Sequence, residues 1–155
     1  MGDLLDQSQN IKRVIVVGGG LAGLSCAMKL AELAIHVDLV SLVKVRRSHS
    51  VCAQGGINAS MDPKNECDSP LTHAYETLRG GDFLADQPAV VEMCQAAPGL
   101  IHMMERLGCP FNRTPEGNLD VRRFGGSLYH RTAFCGASTG QQLLYTLDEQ
   151  VRRYE

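Results

Sequence analysis

Two short stretches hold the residues whose types and spacing suit chemistry. The first, Gly18-Gly19-Gly20-Leu21-Ala22-Gly23, fits the pattern GxGxxG. At a strand-to-helix turn, Gly18 permits the tight bend, Gly20 lets a pyrophosphate approach the backbone, and Gly23 lets helix and strand pack closely. The helix N-terminus then faces the phosphate charge. The second, Arg47-Ser48-His49-Ser50-Val51-Cys52-Ala53-Gln54-Gly55-Gly56-Ile57, sets one imidazole among small residues ahead of a glycine pair. Taken alone, a loop histidine with a satisfied hydrogen bond is the plainer reading. The neighbours favour another: Gln54-Gly55-Gly56 offers unhindered backbone amides, and a wall poor in side chains suits the flat edge of a ring cofactor.

Which dinucleotide the turn would hold stays open at this level. An acid at the end of the second strand ordinarily binds a ribose hydroxyl. Here Ser41 takes that place, with Asp38 inside the predicted strand. A serine can hydrogen-bond a ribose without charge, whereas Lys44, Arg46 and Arg47 close behind it suit the 2′-phosphate of NADP. The turn alone does not separate FAD from NADP. Arg122, Arg123 and Arg131 could steer an anionic substrate, and a solvated hairpin face explains the first two equally well. His36, His73, His102 and His130 lack partners at ligand spacing, so core or surface roles are expected rather than metal binding. Six cysteines show neither CxxC nor zinc-like spacing, and reduced, mostly buried thiols are expected.

The elements that must position these residues follow from periodicity. Ile11 to Val17 is a β-branched apolar run that suits a strand buried on both faces of a parallel sheet. Leu24, Ala27, Met28, Ala31 and Ala34 then recur at helical spacing, and His36 to Ser41 reads as a second strand, completing a βαβ unit. A loop carries the histidine stretch, and Asp62 to Pro70 is a polar surface segment. Leu71 to Leu78 predicts a short helix closed by Gly80-Gly81. Pro88 to Leu107 is helical with Pro98 expected to begin a second helix, and Met93, Met103 and Met104 are read as helix packing. Residues 111–123 predict a hairpin about the turn Pro115-Glu116-Gly117-Asn118. Ser138 with Gln141 has the form of a capping box ahead of a helix whose apolar face is Leu143, Leu144, Leu147 and Val151. A doubly wound sheet needs more than the two visible strands, so the sequence reads as interrupted.

At 155 residues, 44% hydrophobic and 21% charged, with a formal net charge of -2, the chain is an ordinary globular protein rather than a disordered or nucleic-acid-binding one. Its longest apolar run, Val14 to Val17, is far short of a membrane span, and Met1 to Arg13 lacks the form of a secretory leader. A cytoplasmic protein is expected, touching a membrane only through a partner.

Four further segments sharpen this reading: RSHSVCAQGGIN, GGDFLADQ, CPFNRTPEGNLDVRRFGG and HRTAFCGASTGQQLLYTLDEQVRR. Together with the glycine turn in the same order, they closely resemble the flavoprotein subunits of succinate dehydrogenase and fumarate reductase, from about Lys12 to the last residue. That family ordinarily has serine at the place of Ser41. The resemblance implies an α/β, Rossmann-like FAD-binding domain, of which residues 1–155 are the N-terminal part with the capping domain absent. It implies that Gly18, Gly19, Gly20, Leu21, Ala22, Gly23, Ser41, Lys44, Arg47, Ser48, His49, Ser50, Gln54, Gly55 and Gly56 bind FAD. A ring nitrogen of His49 would be joined to the 8α carbon, with the loop from Ser41 to Gly56 wrapping the cofactor. Neutral imidazole is a competent nucleophile near pH 7, and nearby cations stabilise negative charge developing on an electron-poor flavin. Gln54 and Gly55 would lie by the flavin ring, and Phe124, with Gly55, on the side of the dicarboxylate.

The activity implied is interconversion of succinate and fumarate by hydride transfer, with electrons passed to an iron-sulfur subunit and on to quinone. The complex would sit peripherally on the cytoplasmic face of a bacterial inner membrane through a haem b anchor, in the branch with two haems and menaquinone. The family's catalytic arginine and substrate-holding side chains belong to later segments, so no catalytic acid is assigned here, and residues 1–155 alone are expected to be inactive and to bind FAD weakly. Two other readings stand beside this one. An L-aspartate oxidase-like enzyme shares the turn and the QGG segment but typically lacks histidine at the place of His49. A non-enzymatic NADP-type nucleotide-binding module is the other.

Overall fold

The computed structural model describes residues 13–154. Ile11 and Lys12, the start of the predicted first strand, lie outside the described residues. β1 (Arg13–Val17), α1 (Leu21–Glu32) and β2 (His36–Val40) form the expected unit, with β1 and β2 paired in parallel from Arg13↔His36 to Val17↔Val40. Leu24, Ala27 and Met28 give α1 its buried stripe. The expectation that β1 is covered on both faces fails: Ile15 is 66% and Val17 84% exposed. One face of this two-stranded sheet meets no other described element, so the apolar pattern of a doubly covered strand is present without its cover.

Two one-turn 3₁₀ segments, Val45–Arg47 and His49–Cys52, punctuate the loop that follows. β3 (Ile57–Asn58) precedes α2 (Pro70–Gly80) and α3 (Gln87–Arg106). Ser69 caps α2 by accepting from the Thr72 amide at 3.1 Å, with Pro70 at the first helical position, where no amide hydrogen is needed. Asp86 caps α3 in the same way. Pro98 does not start a new helix. It lies inside α3, where the buried stripe Cys94, Ala97, Ile101 and Met104 runs straight through it. A mid-helix proline costs about 3 kcal/mol. Burying Ile101 and Met104 at roughly 1.5–3 kcal/mol each offsets that. Met104 is buried and Met103 packs at the edge of the core, but Met93 faces solvent, so the packing role assigned to it does not hold.

The predicted hairpin is shorter than expected. The Thr114 amide donates to Asn118 and the Asp120 amide to Asn112, with one bridge at Arg113↔Leu119. Beyond it, β4 (Val121–Arg122) leaves its predicted partner and pairs with β5 (Thr132–Ala133), which also pairs with β3. Phe111 is drawn into the core and the Asn112 amide donates to the Phe134 carbonyl, so the first arm is occupied elsewhere. The capping box also fails. The Ser138 hydroxyl donates back to the Cys135 carbonyl, and Thr139 Oγ1 accepts from the Cys135 amide at 3.0 Å before α4 (Thr139–Arg152) begins.

The core joins Leu24 and Met28 of α1 to Ile101 and Met104 of α3 and to Leu143, Leu144 and Leu147 of α4, which presents its predicted face. Cys26, Cys52 and Cys67 are exposed, against the expectation of mostly buried thiols, because they fall on solvent faces of a helix, a turn and a loop. The polar segment 62–70 is not all surface either: the Asp68 side chain turns inward to Arg131. No helix among the described residues is long and apolar enough to cross a membrane.

Candidate cofactor site

The glycine turn sits where β1 ends and α1 begins. Gly18 has φ +118°, a conformation other residues rarely adopt, and its amide donates to the Val40 carbonyl at 2.8 Å, tying the ends of both strands together. Any side chain at Gly23 would overlap the Gly18 carbonyl oxygen, so the helix can approach the turn only with hydrogen there. Leu21 and Ala22 open α1, which has no side-chain cap of its own from Gly20.

What caps α1 comes from far along the chain. Ser50 Oγ accepts from the Leu21 amide at 3.3 Å, so the histidine turn lies directly on the glycine turn. Ser41 closes the same wall: a Cβ at Gly19 would meet its Oγ at 3.0 Å, and one at Gly20 would meet Ser50 Oγ at 3.1 Å. Two hydroxyls and a helix N-terminus thus surround backbone that carries no side chains. Lys44, Arg47 and His49 are exposed, whereas Ser48, immediately before His49, is buried with no hydrogen-bond partner for its hydroxyl among the described residues.

Gln54, Gly55 and Gly56 form a second corner. Arg122 donates to the Gly55 carbonyl through Nη2 at 2.6 Å and Nε at 3.2 Å, and to the Gln54 carbonyl at 3.3 Å. Its guanidinium also lies 4.3 Å from the ring centre of Phe134 and 5.8 Å from that of Phe124. A Cβ at Gly55 would meet the Phe124 ring at 2.6 Å, so backbone and aromatic face touch there. Gly56 packs against Thr132 and Ala133 of β5 with φ +123°. Arg122 is therefore a backbone clamp rather than a solvated hairpin cation. Arg123 is exposed and pairs with Glu66. Arg131 is not a surface steering charge either: it is 1% exposed and holds Asp68 at 2.8 Å and Glu76 at 3.0 Å. It borders a cavity of about 500 Å³ together with Asn58, His73, Glu76 and Phe124.

Two further residues shape the histidine turn. The Gly140 amide, at the start of α4, donates to the Ala53 carbonyl at 2.7 Å, and Asp148 of α4 accepts from Arg46 Nε at 2.8 Å. Burial raises the Asp148 carboxyl, but the hydrogen bonds from Arg46 and Arg152 outweigh it and hold the group below the ordinary carboxylate range. Neither Gly140 nor Asp148 was legible as a site residue. One is a glycine at a helix start and the other an acid on a helix, and no local pattern points 87 or 102 residues back along the chain.

Residues 13–155 match the family of the FAD binding domain. The chain belongs to that family. It is 64% identical over 142 residues to the succinate dehydrogenase flavoprotein subunit of Bacillus subtilis, covering 92% of this chain and 24% of that relative. Among solved structures it superposes on the Mycobacterium smegmatis Sdh1 complex in the apo form with a TM-score of 0.85 at 34% identity, over 90% of this chain and 24% of that one. A quinol-fumarate reductase with menaquinol molecules gives a TM-score of 0.83 at 35% identity, over 92% and 24%. The chain thus spans about a quarter of the length of the relatives it matches.

Proposed function

We propose that residues 1–155 are the N-terminal part of the FAD-binding domain of a flavoprotein subunit that interconverts succinate and fumarate, and that His49 carries FAD covalently. The observation that carries this reading is the seating of the histidine turn on the glycine turn through Ser50 and the Leu21 amide. One dinucleotide lying along both could present its pyrophosphate to α1 and its ring to His49.

The residues present fit the cofactor. Gly19 and Gly20 leave a cradle that a Cβ would fill, and Ser41 and Ser50 line it with hydroxyls. The buried Ser48 hydroxyl lacks a partner beside His49, which a polar group of a bound ligand would supply. In this reading the amides of Gly19, Gly20, Leu21, Ala22 and Gly23 face phosphate, Ser41 holds ribose, and Lys44 and Arg47 offset negative charge. Gln54, Gly55 and Gly56 border the ring, with Phe124 and Gly55 toward the dicarboxylate. Bound FAD supplies a ring that takes up a hydride. The chain's own contribution is to attach, orient and shield it, while proton transfer and substrate clamping fall to a capping domain beyond these residues.

Forming the linkage would replace the N–H of one His49 ring nitrogen and one C–H of the 8α methyl by an N–C bond. Two protons and two electrons would leave overall, the electrons going to a two-electron acceptor such as fumarate or dioxygen. Through its partners the subunit would deliver electrons to an iron-sulfur protein and, by a haem b anchor, exchange them with quinone. Its place is then peripheral, on the cytoplasmic face of a bacterial inner membrane. The relatives named succinate dehydrogenase and quinol-fumarate reductase support this assignment.

The test is to denature the full-length flavoprotein and look for flavin fluorescence on the polypeptide. Retention in the unaltered protein and loss in His49→Ala is the expected result. Release of all flavin from the unaltered protein would sink the covalent assignment.

A further inference from the structure

We propose that α4 is the template that presents His49 for attachment, and that the Arg46–Asp148 ion pair is its positioning contact. The inference rests on the covalent reading above and extends it to residues outside the cofactor wall. The histidine turn is pinned to α4 on both sides of His49. On the N-terminal side Arg46 Nε meets Asp148 Oδ2 at 2.8 Å, and its guanidinium lies 4.8 Å from the ring centre of Tyr145, one helical turn away. On the C-terminal side the Gly140 amide holds the Ala53 carbonyl at 2.7 Å. Gly140 is obligatory there, because a side chain would overlap the Ser50 carbonyl and crowd Ala53.

Asp148 is placed for this role. Its side chain is 3% exposed on the buried face of α4, and a carboxylate is kept in such a position only when it is paired. Arg152 Nε also reaches it, at 3.2 Å, but that contact lies within α4 and fixes no loop. Arg46 is the partner that crosses from α4 to the turn. Between the two pins the Ser50 hydroxyl joins the segment to the glycine turn, and His49 itself is exposed.

Bond formation needs the reacting atoms held about 3–3.5 Å apart, and a displacement of about 1 Å can cost roughly a hundredfold in rate. FAD uptake rests in this reading on the glycine turn with Ser41, Lys44, Arg47 and the Gln54-Gly55-Gly56 corner, to none of which the Arg46 or Asp148 side chain is hydrogen-bonded. Losing one pin should therefore slow attachment while leaving cofactor uptake intact. That split separates positioning from general loss of structure.

The experiment adds FAD to full-length apoprotein and follows two quantities: flavin fluorescence retained on the denatured polypeptide, and total FAD per chain. For Asp148→Asn and for Arg46→Met, attachment should slow by about tenfold or more at unchanged total FAD. The double variant should be no slower than the worse single one, since both remove one contact. Arg46→Lys, which keeps the cation but loses the directed Nε–H and the stacking on Tyr145, should recover part of the rate. Attachment at the unaltered rate in both single variants overturns the proposal. So does a parallel loss of total FAD, which would mark the pair as merely structural. Absence of any covalent flavin in the unaltered protein refutes the His49 reading itself and takes this inference with it.

Discussion

Two arginine–carboxylate clusters lie on different elements of the fold, and they are built in opposite ways. At the small sheet, one arginine serves two acids: Arg131 holds Asp68 and Glu76, with Arg131 and Asp68 both 1% exposed. At α4, one acid serves two arginines: Asp148 is buried, while Arg46 and Arg152 reach solvent along their stems. In the first cluster burial pushes the Asp68 carboxyl up, and the pull of Arg131 does not fully offset it. In the second the paired arginines win, and Asp148 is held down. The single buried cation cannot leave without stranding Asp68, whose side chain is 1% exposed, although Glu76 keeps the Ser127 hydroxyl and Leu128 amide. A buried acid with two half-exposed cations can let one go and keep the other. The first arrangement joins the residue before β5 to α2 and the 62–70 segment, and the second ties a loop to α4.

The largest effect should come from breaking the first. Arg131→Met in the full-length flavoprotein should destabilise the region around α2 and β5 by about 3–5 kcal/mol, the usual result of leaving a buried partner uncompensated. Amide exchange of peptides covering residues 57–80 and 127–134 reads this local loss directly. The pH dependence gives the cause. Without Arg131, burial pushes the Asp68 carboxyl further up, so it binds its proton more tightly in the folded protein than in the unfolded one. The variant should then regain stability as pH falls toward the ordinary carboxylate range. A loss of under 1 kcal/mol, or one that deepens in acid, would mean that the two clusters do not differ as described.

His73 makes the next test, and it reports on the same buried site. Burial lowers its pKa, helped by the charge of Arg131 and opposed by Glu76. With the folded value depressed, the unfolded chain holds more protons in the window below the ordinary histidine value near 6.5. Stability of α2 should therefore fall as pH drops through that window, by at most about 1.4 kcal/mol per pH unit. His73→Gln should flatten the dependence. An unchanged slope in that variant would assign it to other groups.

How much of this was legible in the sequence follows from the range of each contact. The βαβ unit and the glycine turn were readable because their determinants are local: β-branched runs, helical spacing, and glycines where φ is positive or backbones touch. The helix face of Leu143, Leu144 and Leu147 was readable for the same reason. The small sheet was not, since β3, β4 and β5 are two residues each and show no period. Pro98 misled because a local breaker was outweighed by a tertiary stripe. Ser138 misled because its hydroxyl found a nearer carbonyl. In the site, the glycines, Ser41 and His49 were picked out by pattern and resemblance, but their meeting through Ser50 and their backing by Gly140 and Asp148 depend on contacts across 29 to 102 residues. Arg122 is the instructive miss. The predicted hairpin would set it on a solvated face, yet it faces Gln54 and Gly55 because β4 pairs with β5 instead of with residues 111–114.

The smallest effect sharpens the comparison most. Arg46 is about half exposed, and when it is removed Asp148 keeps Arg152. Arg46→Met should therefore cost under about 1 kcal/mol of α4 stability, within the range of ordinary surface pairs. Amide exchange across residues 139–152 would show it. The same substitution is expected to slow flavin attachment by about tenfold or more. A contact can do both because stability averages over every arrangement that keeps Asp148 paired, whereas attachment counts only those that hold His49 in place. If Arg46→Met instead destabilised α4 by several kcal/mol, the pair would be a fixed joint like that of Arg131, and its effect on attachment would no longer indicate positioning.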